Sequence, residues 1–177
     1  MKLPVRRIIA WCIDWVCILG WVAVTAAVGI PLHANGLIHL NDTAQENIVG
    51  AAVIVVPIVV AAAVCESRSK PSTPGKRMMH LQVRTGSARP DFLRALARNS
   101  LKLGVPWLIG HTAVYAISSA TADGTTPTAV WVLIAAAYAI PLVYVVALFV
   151  ADGRTPYDRI CSTAVTATPP ASETRVL

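Results

Sequence analysis

The stretch RRIIAWCIDWVCILGWVAVTAAVGI, residues 6–30, is a long apolar run that carries one carboxylate, Asp14. A helix needs about 20 apolar residues to cross the roughly 30 Å hydrocarbon layer of a bilayer, and residues 8–30 satisfy that length. In the whole chain of 177 residues, 55% are hydrophobic, 14% are charged and the mean hydropathy is +0.61. This composition predicts an integral membrane protein rather than a soluble domain.

A cleavable signal peptide is the alternative interpretation of this N-terminal stretch. Lys2, Arg6 and Arg7 precede the apolar run, and small residues follow at positions 25–27. However, the run is longer than the roughly 7–15 apolar residues of a signal peptide, and Asp14 would interrupt it. We therefore expect the first helix to be retained.

Three further apolar segments, residues 48–65, 104–120 and 129–151, predict a total of four transmembrane helices. The predicted fold is thus an all-α membrane protein with a membrane domain over residues 1–165. The tail at residues 166–177 is small, polar and proline-containing, and we expect it to be disordered.

The basic residues predict the orientation of these helices. In a four-span topology the N-terminal segment, the loop 66–103 and the segment after residue 151 share one face, and they hold all 15 Lys and Arg residues. Basic residues in short loops stay on the cytoplasmic side, so both termini are expected in the cytoplasm. The Cys positions form no disulfide framework, and together with the basic face this favours the plasma membrane of a prokaryote.

The net charge of +6 lies beside the predicted spans, so the expected partner is the bilayer with its anionic headgroups rather than nucleic acid. The sequence contains no nucleophile elbow, phosphate loop or zinc-binding helix motif, so we expect no enzymatic activity and no cofactor. His33, His39 and Asp42 match no zinc spacing, and no metal site is predicted.

The cytoplasmic loop 66–103 has its own predicted structure. A turn at Pro74 and Gly75 is followed by the alternating segment MMHLQVR, residues 78–84, and Thr85-Gly86 is expected to turn a short β-hairpin. Asp91 is a good N-cap for an amphipathic helix at the membrane interface, in which Arg94, Arg98 and Lys102 recur every four residues. The simplest interpretation is that this basic stripe reaches lipid phosphates; ligand binding is the alternative.

Four short motifs resemble the RDD family of membrane proteins, which is named for one arginine and two aspartates. They are Arg7-x-x-Ala10-x-x-Ile13-Asp14, Thr73-Pro74-Gly75-Lys76, Arg94-Ala95-Leu96-x-Arg98-Asn99 and Asp158-Arg159. The resemblance implies that Arg7, Asp14 and Asp158 are the name-giving residues. Ser162 stands where family members often have glycine. Transport, including cation/proton exchange, is the activity that the resemblance implies.

Asp14 is costly in a membrane helix, where a central carboxylate raises the insertion free energy by about 2.5–3.5 kcal/mol. It therefore needs a proton or a partner, and the candidates are basic residues of the loop: Lys76, Arg77, Arg98 and Lys102. One interpretation is structural, with Asp14 joining the first helix to the loop. The other is functional, with Asp14 exchanging a proton or a cation with the cytoplasm.

His111 lies near the middle of the third predicted span, where it is either a neutral hydrogen-bonding residue or part of a proton relay with Asp14. The predicted function is a small cation/proton-coupled transporter, with Arg94, Asn99 and Arg159 as further supporting residues by resemblance. Four short spans leave little room for a solute cavity, so such a transporter would need a homo-oligomer. The alternative is a membrane scaffold or assembly factor that binds a partner protein through the loop.

Overall fold

A computed structural model describes residues 1–40, 43–122, 127–150 and 152–168. The first helix, α1, spans Leu3–Ala34 and is 32 residues long, which corresponds to about 48 Å. Pro4 occupies its first turn. Backbone N–H groups there have no acceptor within the helix, so proline, which lacks this group, sacrifices no hydrogen bond. The helix therefore begins before residue 8, where the predicted span starts, and Arg6, Arg7 and Asp14 all belong to it.

The second helical region contains α2 (Thr43–Gly50), a π-helical turn (Ala51–Val55) and α3 (Val56–Ser67). Pro57 has no N–H group to donate back along the helix, which explains the irregular turn just before it. The carbonyl of Val53 instead accepts a hydrogen bond from the indole of Trp21 at 3.0 Å. This bond ties the irregular turn to α1.

The third helical region contains α5 (Phe92–Asn99), a π-helical turn (Ser100–Gly104) and α6 (Val105–Ala122), and it is followed by α7 (Thr128–Ala147). Asp91 caps α5 as predicted, because its side chain accepts the backbone N–H of Arg94 at 2.8 Å. The hydroxyl of Tyr144 on α7 donates to the carbonyl of Leu101 in the π-helical turn at 2.9 Å. The two helices α6 and α7 pack along each other.

Three helices in the described residues are long and apolar enough to cross a membrane: Leu3–Ala34, Ala44–Ser67 and Thr128–Ala147. They contain the predicted spans at 8–30 and 48–65 and most of the one at 129–151, although the last helix ends at Ala147. The remaining predicted span, 104–120, begins at the last residue of the π-helical turn and otherwise lies in α6, which is not one of these three helices.

Two short segments follow the same local plan. The helix α4 (Pro74–Met78) leads into strand β1 (Leu81–Arg84), and the helix α8 (Pro156–Ile160) leads into strand β2 (Ala164–Ala167). Each helix begins with Thr-Pro. Two residues after its end, a non-glycine residue has a positive φ angle: His80 at 49° in the first case and Ser162 at 52° in the second. We call residues 73–84 the first Thr-Pro unit and residues 155–167 the second.

The two strands pair antiparallel, with Leu81 opposite Ala167 and Val83 opposite Val165. The prediction of a β-hairpin inside the loop is therefore wrong, since the partner of β1 comes from the end of the chain; Thr85 pairs with Ala88 only as an isolated bridge. Leu81, Val83, Val165 and Ala10 form a small apolar core, which a local hairpin alone would not supply. The expectation of a disordered tail from residue 166 is also wrong for residues 166–168, while residues 169–177 lie outside the described part.

The orientation predicted for α5 is wrong for its central basic residue. The side chain of Arg98 is only 1% exposed and Asn99 is fully buried, whereas Leu93 is 74% exposed. The polar stripe faces the protein because buried carboxylates of other elements lie there. Arg94 remains partly exposed, and its Nε atom lies 3.9 Å from Oδ2 of Asp91.

Candidate functional site

Glu66, in the last turn of α3, is fully buried and binds three side chains. The ammonium group of Lys76 donates to Oε1, and Nη1 of Arg98 lies 2.9 Å from Oε1 and 2.8 Å from Oε2. The amide of Asn99 donates to Oε2 at 2.9 Å. Glu66 therefore joins the end of α3 to Lys76 on α4 and to the buried residues Arg98 and Asn99 on α5.

Arg98 extends this network in the other direction. Its Nε and Nη2 atoms each lie 2.8 Å from Oδ1 of Asp158 on α8, so one guanidinium group bridges two carboxylates. The aromatic ring of Tyr157 lies beside this group, with its centroid 5.2 Å from Cζ, in the range of a cation–π contact. The planar shape of arginine suits this position, which a lysine would not fill.

Asp158 completes the network at the N-terminal end of α1. Arg7 donates to Oδ2 at 2.7 Å and also to the carbonyl of Gly153 at 2.6 Å. Thr155 donates to Oδ2 at 2.8 Å, and Thr163 donates to Oδ1 at 3.2 Å. Lys76, Glu66, Arg98, Asp158 and Arg7 thus form a continuous row of alternating charges, which we call the charge network.

The ionisation of the charge network follows from these contacts. Burial alone would raise the pKa of Asp158, but the guanidinium groups of Arg98 and Arg7 outweigh burial and hold that pKa below its ordinary value. Burial lowers the pKa of Lys76 to about 8, against the opposing attraction of Glu66. Burial disfavours the charge of Arg98 as well, but Asp158 and Glu66 more than compensate and raise its pKa. Asp158, Lys76 and Arg98 are therefore charged near neutral pH.

Asp14 lies beside the charge network but is bound differently. Its Oδ2 atom accepts the hydroxyl of Thr73 at 2.7 Å, and its Oδ1 atom accepts the backbone N–H of Gly75 at 2.8 Å. The contact requires glycine, because a Cβ atom on residue 75 would lie 2.0 Å from the carbonyl oxygen of Ala10. Asp14 therefore holds the first turn of α4 against α1.

None of the four basic residues named as candidate partners lies within ion-pair distance of Asp14 in the described part of the chain. Lys76 and Arg98 are bound to Glu66 and Asp158, and Arg77 is exposed. Lys102 is half-buried and forms no ion pair with a described carboxylate. Its burial lowers the pKa of its ammonium group, and Glu66 and Asp14 contribute opposing attraction. Two of the four candidate partners, Lys76 and Arg98, are thus taken up by Glu66 and Asp158 rather than by Asp14.

Two adjoining cavities open between the helices, with volumes of 390 and 340 Å³. Asp14 and Lys102 line both of them, together with four apolar residues: Trp11, Ile18, Ile58 and Leu103. Glu66 and Asp158 line neither cavity. Within the described residues, Asp14 is thus the one carboxylate that faces these spaces.

The predicted site residues fall into two groups. The structure brings Arg7, Asp158, Lys76, Arg98 and Asn99 together, with Asp14 adjoining them. It leaves the others elsewhere: Arg77 and Arg94 at the surface, Arg159 in an exposed ion pair with Asp152 at 3.0 Å, and His111 stacked on Trp107 with ring centroids 3.8 Å apart.

The central residue that sequence reasoning missed is Glu66, together with Thr155 and Thr163. One signal for it is visible: Glu66 directly follows an apolar run, at the same membrane end as Asp14. No group of three or more His, Cys, Asp or Glu residues in the described part of the chain is arranged to hold a metal ion.

Comparison with known proteins agrees with the motifs. The RDD family model matches residues 2–123, which include Arg7, Asp14, the first Thr-Pro unit and Arg98, while Asp158 lies beyond the matched residues. No curated protein and no solved structure matches the chain. The match covers more than half of the sequence and the helices are apolar enough for a bilayer, so the chain is a membrane protein that belongs to the RDD family.

Proposed function

We propose that the chain crosses the plasma membrane four times, with both termini in the cytoplasm. The charge network supports this topology. It joins the start of α1, the end of α3, the helix before α6 and the segment after α7 at one level. Four helices whose ends alternate in this way run antiparallel, and α6 is then the fourth span despite its lower apolarity.

We further propose that the protein is a small proton-coupled transporter in which Asp14 exchanges the proton. The observation that carries this proposal is the contrast between the half-buried Asp14 and the fully buried acids Glu66 and Asp158. Glu66 and Asp158 are neutralised by fixed cations, whereas Asp14 is held by a hydroxyl and a backbone N–H and faces the cavities. A carboxylate without a fixed counter-charge loses less electrostatic stabilisation when it takes up a proton than an ion-paired carboxylate does.

Protonation of Asp14 has a direct structural consequence. A neutral carboxyl group keeps one good acceptor and gains a donor, so it no longer accepts equally from Thr73 and from Gly75. The first turn of α4 is then released from α1. Since Lys76 belongs to the same helix and lines the larger cavity, the proton state of Asp14 is coupled to the shape of that cavity.

The surroundings favour a proton over a metal cation as the ion that Asp14 exchanges. Arg7, Lys76, Arg98 and Lys102 line the same cavity and repel a metal cation. We also propose that the transporter works as a homo-oligomer.

Proton flux in liposomes tests this proposal. The purified protein is reconstituted with a pH-sensitive dye inside, and internal pH is followed after a sodium, potassium or proton gradient is imposed. Asp14→Asn should abolish the flux, while Asp152→Asn, at an exposed acid outside the cavities, should leave it unchanged. Equal flux in wild type and Asp14→Asn, at equal folded amounts, would refute the role of Asp14.

A membrane scaffold is the second candidate, and one observation favours it. Met78, Leu93 and Ile160 are 66%, 74% and 71% exposed, and they lie on the three short helices that surround the charge network. This apolar surface suits a partner protein at the membrane interface. In that case Leu93→Asp should remove a co-purifying partner, and Asp14→Asn should retain full activity of the assembly.

A further inference from the structure

We propose that the larger cavity binds an anionic lipid of the bilayer, with the head group at Lys102 and a hydrocarbon chain along α1. This inference goes beyond the proposed function, because it requires no proton movement. The volume of 390 Å³ lies within the usual range of about 300–1,000 Å³ for ligand sites.

The wall of the cavity matches a hydrocarbon chain. Apolar residues of α1 line it at helical spacing, and apolar residues of the second helical region and of α7 face them. Ile8, Trp15 and Val22 lie on one side, and Ile54, Ala137 and Pro141 lie on the other. From residue 8 to residue 22 the rise is about 21 Å, more than the roughly 15 Å of hydrocarbon in one leaflet. One lipid chain therefore fits lengthwise.

The charge at the cytoplasmic end of the cavity selects the head group. Arg7, Lys76, Arg98 and Lys102 line this end, and Asp14 is the one described carboxylate that lines it with them. Arg7, Lys76 and Arg98 are bound within the charge network, which leaves Lys102 without an ion pair in the described part of the chain. An unpaired ammonium group beside apolar walls is costly, and an anionic head group would supply the missing charge.

Lipid binding in a neutral detergent tests the inference. The delipidated protein is titrated with dioleoyl phosphatidylglycerol and with dioleoyl phosphatidylcholine, which share the same chains, and native mass spectrometry counts the lipids retained. We expect about tenfold tighter binding of phosphatidylglycerol, the ratio that one charge-assisted hydrogen bond supports. Glycerol phosphate, which has the head group without the chains, should not bind. Equal retention of the two lipids would overturn the proposal.

Two pairs of variants locate the site. Lys102→Gln should reduce the preference for phosphatidylglycerol to less than about threefold, while Lys70→Gln, at an exposed lysine of the same loop, should preserve it. Ala137→Leu narrows the cavity and should weaken binding of both lipids, whereas Ala139→Leu, on the exposed side of the same helix, should not.

The melting temperature without lipid shows whether each variant is folded. The proposal is wrong if Lys70→Gln lowers the preference as much as Lys102→Gln does. Proton flux is not measured in this assay, so its result and that of the Asp14 experiment are independent.

Discussion

The first and the second Thr-Pro unit have the same backbone but bury side chains of opposite charge. Each begins with Thr-Pro, carries an arginine four positions after the threonine, turns through a positive φ angle and ends in one of the two paired strands. At the equivalent buried position the first unit has Lys76 and the second has Asp158. Lys76 binds Glu66, Asp158 binds Arg98, and Glu66 binds Arg98 between them.

The two units also differ in how closely they approach the rest of the molecule. Gly75 lets α4 touch the backbone of α1, whereas the equivalent residue of α8 is Tyr157, which packs edge-to-face against Tyr144 with ring centroids 4.9 Å apart. The comparison shows that a shared local structure does not determine the contacts of a unit. The side chains at two positions decide which partner each unit takes.

Removal of the central acid should have the largest effect, because both units depend on it. Glu66→Gln leaves the buried cations Lys76 and Arg98 without one of their carboxylates, and we expect a loss of about 3–5 kcal/mol in the free energy of unfolding. Asp152→Asn, which removes an exposed ion pair, should leave the free energy of unfolding nearly unchanged. Denaturation in mixed detergent micelles measures both. Similar losses in the two variants would show that the charge network does not stabilise the fold.

Acid should weaken the contacts of the second unit, because they depend on the charge of Asp158. The folded pKa of Asp158 lies below its ordinary value of 3.8, so its contribution to stability is present above that value and is lost as pH falls below it. We expect the unfolding temperature in detergent to drop below about pH 4, and the drop to be smaller in Asp158→Asn. Identical acid profiles of the two proteins would contradict the assignment.

The close approach of the first unit is tested by Gly75→Ala. A Cβ atom there collides with the carbonyl of Ala10, so α4 must move away and the bonds to Asp14 are lost. We expect a loss of about 1–3 kcal/mol. Gly20→Ala is the matched control, since nothing lies within 4 Å of its Cβ position. If Gly75→Ala unfolds at the wild-type temperature, the contact between α4 and α1 is less tight than described.

Asp14→Asn should have a smaller effect on stability than Glu66→Gln. The amide keeps one acceptor for Thr73 or Gly75 but presents a donor to the other, which costs about 1–2 kcal/mol. The charge network is untouched. Thermal unfolding of the two variants side by side checks this order, and a loss as large as that of Glu66→Gln would make Asp14 part of the stabilising network.

The smallest effect is expected where both units turn. His80 and Ser162 have φ angles of 49° and 52°, which glycine adopts without the cost borne by other residues. His80→Gly and Ser162→Gly should each change the free energy of unfolding by less than about 1 kcal/mol, in the stabilising direction. A destabilisation by either variant would indicate that the side chain itself contributes.

Much of the helical framework could be predicted from hydropathy, because long apolar runs have few other solutions. The site was only partly predictable. The family motifs pointed to Arg7, Asp158 and Arg98, but not to Glu66, since the pairing of charges distant in sequence is decided by packing. The inward orientation of α5 and the pairing of β1 with β2 were missed for the same reason. The repeated Thr-Pro-x-x-Arg at residues 73–77 and 155–159 is the sequence signal that indicates two equivalent segments, each leading into one of the paired strands.

The bond between Arg7 and Asp158 has a consequence for biosynthesis. These residues are 151 positions apart, and a ribosome that adds 5–20 residues per second makes the second about 8–30 seconds after the first. During that interval Arg7 has no Asp158 to bind, and β1 has no β2. Closure of this end of the helices is therefore a late event in synthesis, and a defect near residue 158 would leave both the charge network and the two-stranded sheet incomplete.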